Sequence, residues 1–452
     1  MQVEEISIDV IKPSSPTPSH LRTHQFSLID QHFPNAHLSV PLFYSSPSPT
    51  NTNTNTNTNP QHILTHLKTS LSKTLTLFHP LAGRLNDSHH HHILCNDEGV
   101  KFVHARVPHC TLSQVLAPPD HRLNQLFPKQ HIAEDQLLGI QLTFFDCGGF
   151  AIGVYFSHKI FDARSLCTFV LSWASIAKTG ESAVRPRFDS ASIFPPIHPP
   201  PTYSDLPDFT AQRVLFKVFR FEGSKIELLK AKAKGSGDET PPSRVMAVTA
   251  LLWTVFAAVM DGEKQNEGAI PRPCQLAMAV SLRGRMRTDS EALNFNENTI
   301  GNGAVIPVSP PMAPPRDLTG LPDLVKVLND MVRRVDESDL VGRRDGAEIL
   351  KLMDCYAEAA GKPSASDGGD CGFYEVASWL RLPFYEADFG WGKPVWFGYL
   401  LGEIKNVISY LDTKCGEGVE AWVWMTEKDM ARFQSMPELL QFATPVLNAL
   451  DH

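Results

Sequence analysis

Residues 141–168 read QLTFFDCGGFAIGVYFSHKIFDARSLCT and contain the clearest change of pattern in the chain. Between 150 and 156, large apolar residues alternate with other residues, which predicts a strand with one apolar face. After Asp162 the apolar positions follow helical spacing, and Asp162 stands where the N-cap of that helix is expected. Residues 157–161 therefore form a strand-to-helix junction, which places a polar side chain at the border of a cleft.

The junction contains an imidazole and, four residues later, a carboxylate. An unperturbed imidazole titrates near neutral pH, so His158 can act as a general base toward a hydroxyl group, or it can be held in a turn by backbone partners. Asp162 by itself is explained by a helix cap. A metal site is not predicted here, because the spacing provides only two ligands.

Length and composition describe a globular protein of more than one domain. The 452 residues predict two or three domains, and 42% hydrophobic with 20% charged residues is typical of globular chains. The formal net charge of -8 argues against a nucleic-acid partner, which would require a basic face. The same acidity is also explained by solubility alone.

Several features predict a cytoplasmic location. Residues 1–10 are acidic and have neither the basic nor the apolar region of a signal peptide. The apolar run 245–260 is short for a membrane span and contains threonines, so it predicts a buried helix. The eight cysteines include no C-x-x-C pair, which suits reduced thiols rather than disulfides or a zinc site.

A proline-rich segment, 185–212, predicts an extended connector, because prolines at this density exclude helices and central strands. We take it as the boundary between an N-terminal domain, 1–184, and a C-terminal domain, 213–452. The second half restarts with an alternating strand at 213–221.

Three segments are predicted to be surface loops. Residues 51–59 alternate Asn and Thr, which predicts disorder, and residues 361–372 are rich in Gly, Ser and Asp. Residues 89–92 are four histidines in a polar turn, where we expect adventitious metal binding only.

Two motifs resemble the plant BAHD acyltransferases, which transfer an acyl group from coenzyme A to an alcohol or amine. HKIFD at 158–162 matches the H-x-x-x-D motif, and DFGWG at 388–392 matches a second motif in the expected order. Three further matches lie between them or upstream: PLAGRL at 80–85, LRGRM at 282–286 and Gly301-Asn302. The resemblance covers nearly the whole chain.

The resemblance implies a fold and an assembly. It implies two similar α/β domains of the chloramphenicol-acetyltransferase type, with mixed sheets flanked by helices and an active-site channel at the domain interface. Residues 389–411 are expected to cross back to the first domain. A monomer without a permanently bound cofactor or metal is expected, with no membrane partner.

For the first motif, the resemblance implies His158 as the general base of a direct transfer without an acyl-enzyme. It pairs Arg283 with Asp162, so that Asp162 holds the loop that orients His158. Ala163 replaces the usual glycine of the family, and we expect no loss of activity from it.

For the second motif, the resemblance implies a mainly architectural bend built on Gly390, Trp391 and Gly392. Asp388 is sometimes placed with the active site, and we include it among the catalytic candidates. Trp379 matches a tryptophan whose indole N–H can face the developing oxyanion. The family often has threonine where this chain has Ala377, so one possible donor is missing.

Coenzyme A needs cations or helix N-terminal amides for its phosphates, and Ser243, Arg244 and Asn302 are the candidates. The stretches 21–30 and 385–388 resemble the group that acetylates alkaloid and terpenoid alcohols, which favours acetyl-CoA as donor and such an alcohol as acceptor. The alternatives are a bulkier acyl-CoA, a catalytically idle ligand-binding protein on the same fold, and a carrier-dependent condensation domain.

Overall fold

The computed structural model describes most of the chain. The described residues are 1–46, 59–86, 92–199, 213–237, 240–261, 272–285, 294–315, 317–337, 346–362, 371–402 and 404–451. The expectations for residues 51–58, 89–91, 286 and 363–370 lie outside these ranges.

The described strands are β1 Glu4–Ile11, β2 Thr23–Gln25, β3 His37–Tyr44, β4 Arg84–Leu85, β5 His92–Leu94, β6 Val100–Val107, β7 Leu138–Phe145, β8 Phe150–Ser157, β9 Val214–Phe221, β10 Cys274–Met278, β11 Val280–Ser281, β12 Ala304–Val305, β13 Gly372–Ser378, β14 Trp396–Phe397, β15 Val407–Asp412, β16 Val419–Thr426 and β17 Thr444–Pro445. The described α-helices are α1 Leu28–His32, α2 Pro60–Leu77, α3 Leu112–Val115, α4 Ala163–Thr179, α5 Ser190–Ile193, α6 Gly223–Lys232, α7 Arg244–Asp261, α8 Leu321–Glu337, α9 Ala347–Ala360, α10 Glu427–Phe433 and α11 Pro437–Leu440.

The first sheet is mixed and has the strand order β1-β6-β7-β8-β3-β14. Its β6–β7 pair is parallel and its other pairs are antiparallel. Helices α2 and α4 pack against each other, and their buried faces share one apolar core with this sheet. The edge strand β14 comes from the second half of the chain, so the downstream segment pairs with the first sheet.

The second sheet has the order β10-β13-β15-β16-β9-β17, with parallel β10–β13 and β13–β15 pairs. Its main core helix is α7, which is the buried helix predicted at 245–260. This helix is long and apolar enough for a membrane span, but 72% of its apolar window is buried inside the protein. The structure therefore uses it as the centre of the second core.

The two halves meet through one face of the second sheet. The buried side chains Trp422 and Trp424 of β16 belong to the core of the first sheet, and Trp396 of β14 stacks on Trp422 with ring centroids 5.2 Å apart. The indole nitrogen of Trp396 also donates to Glu420 at 3.2 Å, while Glu420 forms an ion pair with Arg220. Apolar stacking and a buried charge pair thus join the halves.

The connector is more regular than predicted. Residues 190–193 form one turn of helix, α5, where we predicted an extended chain. The segment 187–194 contains no proline, so a single turn fits between Pro186 and Pro195. Residues 200–212 lie outside the described ranges, and the domain boundaries stay a prediction.

A glycine in β8 is required by close packing. A Cβ atom at Gly153 would lie 2.0 Å from the carbonyl oxygen of Leu126, which belongs to the segment that covers this sheet face. We predict that Gly153→Ala destabilises the protein by about 1–3 kcal/mol, because backbone cannot move aside as a side chain can. A lower urea midpoint of unfolding would show this. Gly402→Ala, where nothing lies within 4 Å, should leave the midpoint unchanged, and equal effects of the two variants would contradict the packing argument.

Candidate active site

The site is built on the turn between β8 and α4. The backbone N–H of His158 donates to the carbonyl of Ala36 at 2.8 Å, which holds the turn against the chain entering β3. Asp162 caps α4 by accepting from the N–H of Ser165 at 2.9 Å, as its position predicted. Both ends of the turn are therefore fixed by hydrogen bonds.

Asp162 also forms a buried ion pair with Arg283, whose side chain is 1% exposed. The guanidinium group donates to the carbonyls of Thr299 at 3.1 Å and Gly301 at 2.9 Å, and it lies 4.6 Å from the ring centre of Phe295. Burial alone would raise the pKa of Asp162, but the charge of Arg283 and the hydrogen bonds lower it overall. The carboxylate is therefore ionised and fully engaged.

The imidazole of His158 is held by an amide. Its Nδ1 lies 3.1 Å from Oδ1 of Asn302, while Nδ2 of Asn302 donates to the carbonyl of His158 at 2.8 Å and to Asp30 at 2.9 Å. Because Nδ2 faces two acceptors, Oδ1 must face the ring, and an acceptor there requires a proton on Nδ1. This leaves the lone pair of Nε2 available for a proton.

The ring environment keeps the imidazole neutral. Phe33 stacks on His158 with ring centroids 4.6 Å apart. Burial lowers the pKa of His158 below its ordinary 6.5, and hydrogen bonds and the charge of Asp162 offset only part of this effect. A neutral imidazole with a free Nε2 is the form that a general base requires.

Sequence reasoning missed Asp30. Its carboxylate is buried and accepts from the backbone N–H of Asn302 at 2.7 Å, in addition to the side-chain bond. Ser27 and Asp30 form a capping box at the start of α1. Burial raises the pKa of Asp30, against the opposing hydrogen bonds from Ser27 and Asn302. The S-x-x-D pattern of a capping box was a visible signal for α1, but it contains no information about Asn302.

The DFGWG motif forms a tight bend around its own aspartate. Oδ1 of Asp388 accepts from the N–H groups of Gly390 at 2.8 Å and Gly392 at 2.9 Å, and both glycines have positive φ, +107° and +103°. Side chains rarely adopt these angles, which explains the glycines. Trp391 packs edge-on against Phe150 at 6.0 Å, so the bend docks onto β8.

The catalytic assignment of Asp388 is a correction. Its Oδ2 accepts from Nζ of Lys178 at 2.7 Å, in the last turn of α4, whereas Asp162 lies at the first turn. A helix of 17 residues spans about 25 Å at 1.5 Å per residue. The carboxylate of Asp388 therefore lies at the far end of α4 and does not reach a group bound at His158.

Trp379 directly follows β13. Its backbone N–H donates to the carbonyl of Tyr410 at 2.8 Å, and its ring packs on Tyr399 and Phe384 with centroids 4.4 and 5.7 Å apart. No contact between described residues joins this indole to the imidazole. Its role toward the oxyanion stays a prediction, as does the loss of a donor at Ala377.

The coenzyme A candidates lie in two places. The side chain of Ser243 accepts from the N–H of Met246 at the start of α7, and Arg244 forms an ion pair with Asp412 at 3.2 Å. The role of these two residues toward phosphates stays a prediction. The amide of Asn302 bonds to the imidazole and the carbonyl of His158 and to Asp30, which gives it a positioning role, and its contact with coenzyme A stays a prediction.

Two mixed sheets with an H-x-x-x-D junction define the chloramphenicol-acetyltransferase-like class of acyltransferases. A profile of the Transferase family matches residues 1–440. Vinorine synthase of Rauvolfia serpentina is 35% identical over 441 residues, covering 95% of this chain and 96% of that protein. Stemmadenine O-acetyltransferase of Catharanthus roseus is 34% identical, covering 96% of each. The chain belongs to the Transferase family, the BAHD acyltransferases, and is an acyl-CoA-dependent O-acyltransferase.

Solved structures agree with this membership. The crystal structure of vinorine synthase has a TM-score of 0.80 and 34% identity, covering 99% of this chain and all of that chain. The structure of F. sporotrichioides TRI101 with coenzyme A and T-2 has a TM-score of 0.69 and 17% identity, covering 94% and 99%. At 17% identity, this similarity shows a shared fold and nothing about the substrate.

We predict that Asp388→Asn lowers stability and leaves chemistry intact. The variant weakens the bonds to Lys178 and to the glycine N–H groups, which should lower the free energy of unfolding by about 1–3 kcal/mol. The melting temperature should fall, while kcat at 25 °C stays close to the unmodified value. A large loss of kcat in a variant with an unchanged melting temperature would restore a catalytic role for Asp388.

We predict that Asn302→Ala lowers kcat by about 10²-fold, because the imidazole loses its fixed orientation and tautomer. The hydrogen bond from Asn302 raises the pKa of His158 against the larger effect of burial, so its removal lowers that pKa further. A general base is active when neutral, so the acid limb of the profile of kcat/KM against pH should move to lower pH. An unchanged profile with full kcat would contradict the positioning role.

Proposed function

We propose that the chain transfers an acetyl group from acetyl-CoA to a hydroxyl group of an alkaloid or terpenoid alcohol. The observation that carries the proposal is the fixed imidazole of His158, whose Nδ1 is bonded to Oδ1 of Asn302, so that the basic lone pair is on Nε2. The acceptor classes are those named for similar proteins, stemmadenine O-acetyltransferase and limonoid 1-O-acetyltransferase of Citrus sinensis, the latter 32% identical.

The reaction proceeds without an acyl-enzyme. Nε2 of His158 accepts the proton of the acceptor hydroxyl, and the oxygen attacks the thioester carbonyl. The indole N–H of Trp379 stabilises the tetrahedral oxyanion. Collapse of this intermediate breaks the carbon–sulfur bond, and the imidazolium returns its proton to the thiolate, which leaves as coenzyme A. The acetyl ester and free thiol are the products.

The phosphates of coenzyme A are proposed to bind near the start of α7, with Ser243 and Arg244. Helix N-terminal amides favour anions, which supports this position. We further propose a monomer in the cytoplasm. All eight cysteines are free in the structure, which suits a reducing compartment.

Free-thiol release tests the function. We predict acceptor-dependent release from acetyl-CoA and less from malonyl-CoA or hydroxycinnamoyl-CoA, with a panel of alkaloid and terpenoid alcohols as acceptors. His158→Ala should lower kcat by about 10²–10⁴-fold and keep the fold, because it removes only the proton transfer. The exposed His121→Ala is the matched control and should retain full activity.

The pH dependence provides a second readout. Since burial lowers the pKa of His158 below 6.5, kcat/KM should be constant near neutral pH and fall only below about pH 6.5. Release that survives His158→Ala would exclude this residue as the base. Coenzyme A binding without any acceptor-dependent release would support an idle binding protein instead.

A further inference from the structure

A carboxylate faces the region between the two halves of the molecule. Along β13, Tyr374 and Val376 point into the core of the second sheet. Glu375 and Ala377 alternate with them and therefore point to the opposite face. The hydroxyl of Tyr356, on α9, donates to Oε2 of Glu375 at 2.8 Å.

The charge of Glu375 is not neutralised within the described residues. The side chain is half-buried, and no described Lys, Arg or His forms an ion pair with it. Its Oε1 receives no hydrogen bond from a described residue. Burial raises the pKa of Glu375, and the single bond from Tyr356 offsets only part of this effect. A desolvated carboxylate without a counter-charge is costly, and such groups concentrate at functional sites.

One aromatic side chain, Tyr356, bonds to this carboxylate, and another, Phe373, lies on the same strand face. Phe373, two residues earlier on the same strand face, lies 6.3 Å from the ring of Tyr356. Burial, and after it the charge of Glu375, raise the pKa of Tyr399. Carboxylates and aromatic faces together are the groups that recognise an ammonium ion.

Tyr399 also contacts the proposed oxyanion donor, Trp379. The ring of Tyr399 lies 4.4 Å from that of Trp379. Glu375 and Trp379 are four residues apart along an extended chain, a distance of about 13 Å at 3.3 Å per residue. One polycyclic acceptor is therefore long enough to place its amine at Glu375 and its hydroxyl at a reacting carbonyl near Trp379.

We propose that Glu375, beside the ring of Phe373, binds the protonated amine of the acceptor, so that this enzyme selects amine-bearing alcohols over uncharged terpenoid alcohols. The identification of this amine as part of the acceptor rests on the proposed function. The cation site itself does not, because it follows from a carboxylate that no described cation neutralises and from the aromatic side chains beside it.

Binding without turnover tests the cation site. The probes are quinuclidin-3-ol, a compact tertiary-amine alcohol that is protonated at neutral pH, and bicyclo[2.2.2]octan-2-ol, its uncharged carbon counterpart. Calorimetry or ligand-observed NMR should show at least about 10-fold tighter binding of the amine. Glu375→Gln keeps the shape and removes the charge, so it should abolish this preference. Glu358→Gln removes an exposed carboxylate of α9 and should retain it.

Two results would overturn the cation site. Equal binding of the two probes to the unmodified protein would show that no cation is recognised. A preference that persists in Glu375→Gln would show that another group recognises it. Glu375→Gln could also lose binding because the protein is destabilised, which a lower melting temperature would reveal. Tyr356→Phe is the control for this case, because it removes the hydrogen bond to Glu375 and keeps the charge. If Tyr356→Phe loses the preference equally, Glu375 is structural and the inference fails.

Turnover tests the acceptor role separately. With acetyl-CoA, Glu375→Gln should raise the KM of tertiary-amine alcohols at least about 10-fold relative to neutral terpenoid alcohols, with kcat little changed. An unchanged ratio would overturn the inference and leave acetyl transfer standing. If no alcohol stimulates thiol release, the proposed function fails, while the probe-binding result still decides the cation site.

Discussion

The active site depends on the buried ion pair between Asp162 and Arg283. Asp162 caps α4 in the first half of the chain, and Arg283 lies in the second half, so the pair joins two segments 121 residues apart. The bond from Arg283 to the carbonyl of Gly301 fixes the segment that contains Asn302. Removing either partner would leave a buried charge uncompensated, which typically costs about 3–5 kcal/mol. The same interaction therefore aligns the turn of His158 and the amide that orients it.

Helix α4 explains why two distant motifs occur together. Its first turn contains the cap at Asp162, and Lys178 in its last turn holds Asp388 of the DFGWG bend. The helix is rigid over its length, so the bend acts on the base through the position of α4 and through β8, on which Trp391 packs. Asp388 can thus be essential to the architecture without touching the reacting atoms.

The sequence contained enough information for the strand, the helix and the cap around His158, because these depend on local periodicity and capping. It also predicted the core helix α7. It did not predict the contact between Asn302 and His158 or the buried Asp30, since residues 144 and 272 positions apart meet only after both halves fold. The one-turn helix α5 was missed because proline density concealed a proline-free segment. Glu375 has no motif around it, and only the strand alternation and Tyr356 reveal its environment.

An amide in place of a carboxylate behind the imidazole suits transfer from a thioester. A carboxylate bonded to Nδ1 would stabilise the imidazolium, whereas the neutral amide of Asn302 fixes the tautomer and leaves burial to lower the pKa of His158. The proposed base is then neutral at physiological pH, although a base of lower pKa removes a hydroxyl proton less readily. Its conjugate acid is correspondingly stronger. Proton transfer from it to a thiolate is therefore favourable, because an ordinary thiol has a pKa of about 8.5. Asp162 does not reverse this balance, because its charge is neutralised by Arg283. Because of this ion pair, the carboxylate of Asp162 holds the loop, and the amide of Asn302 orients His158.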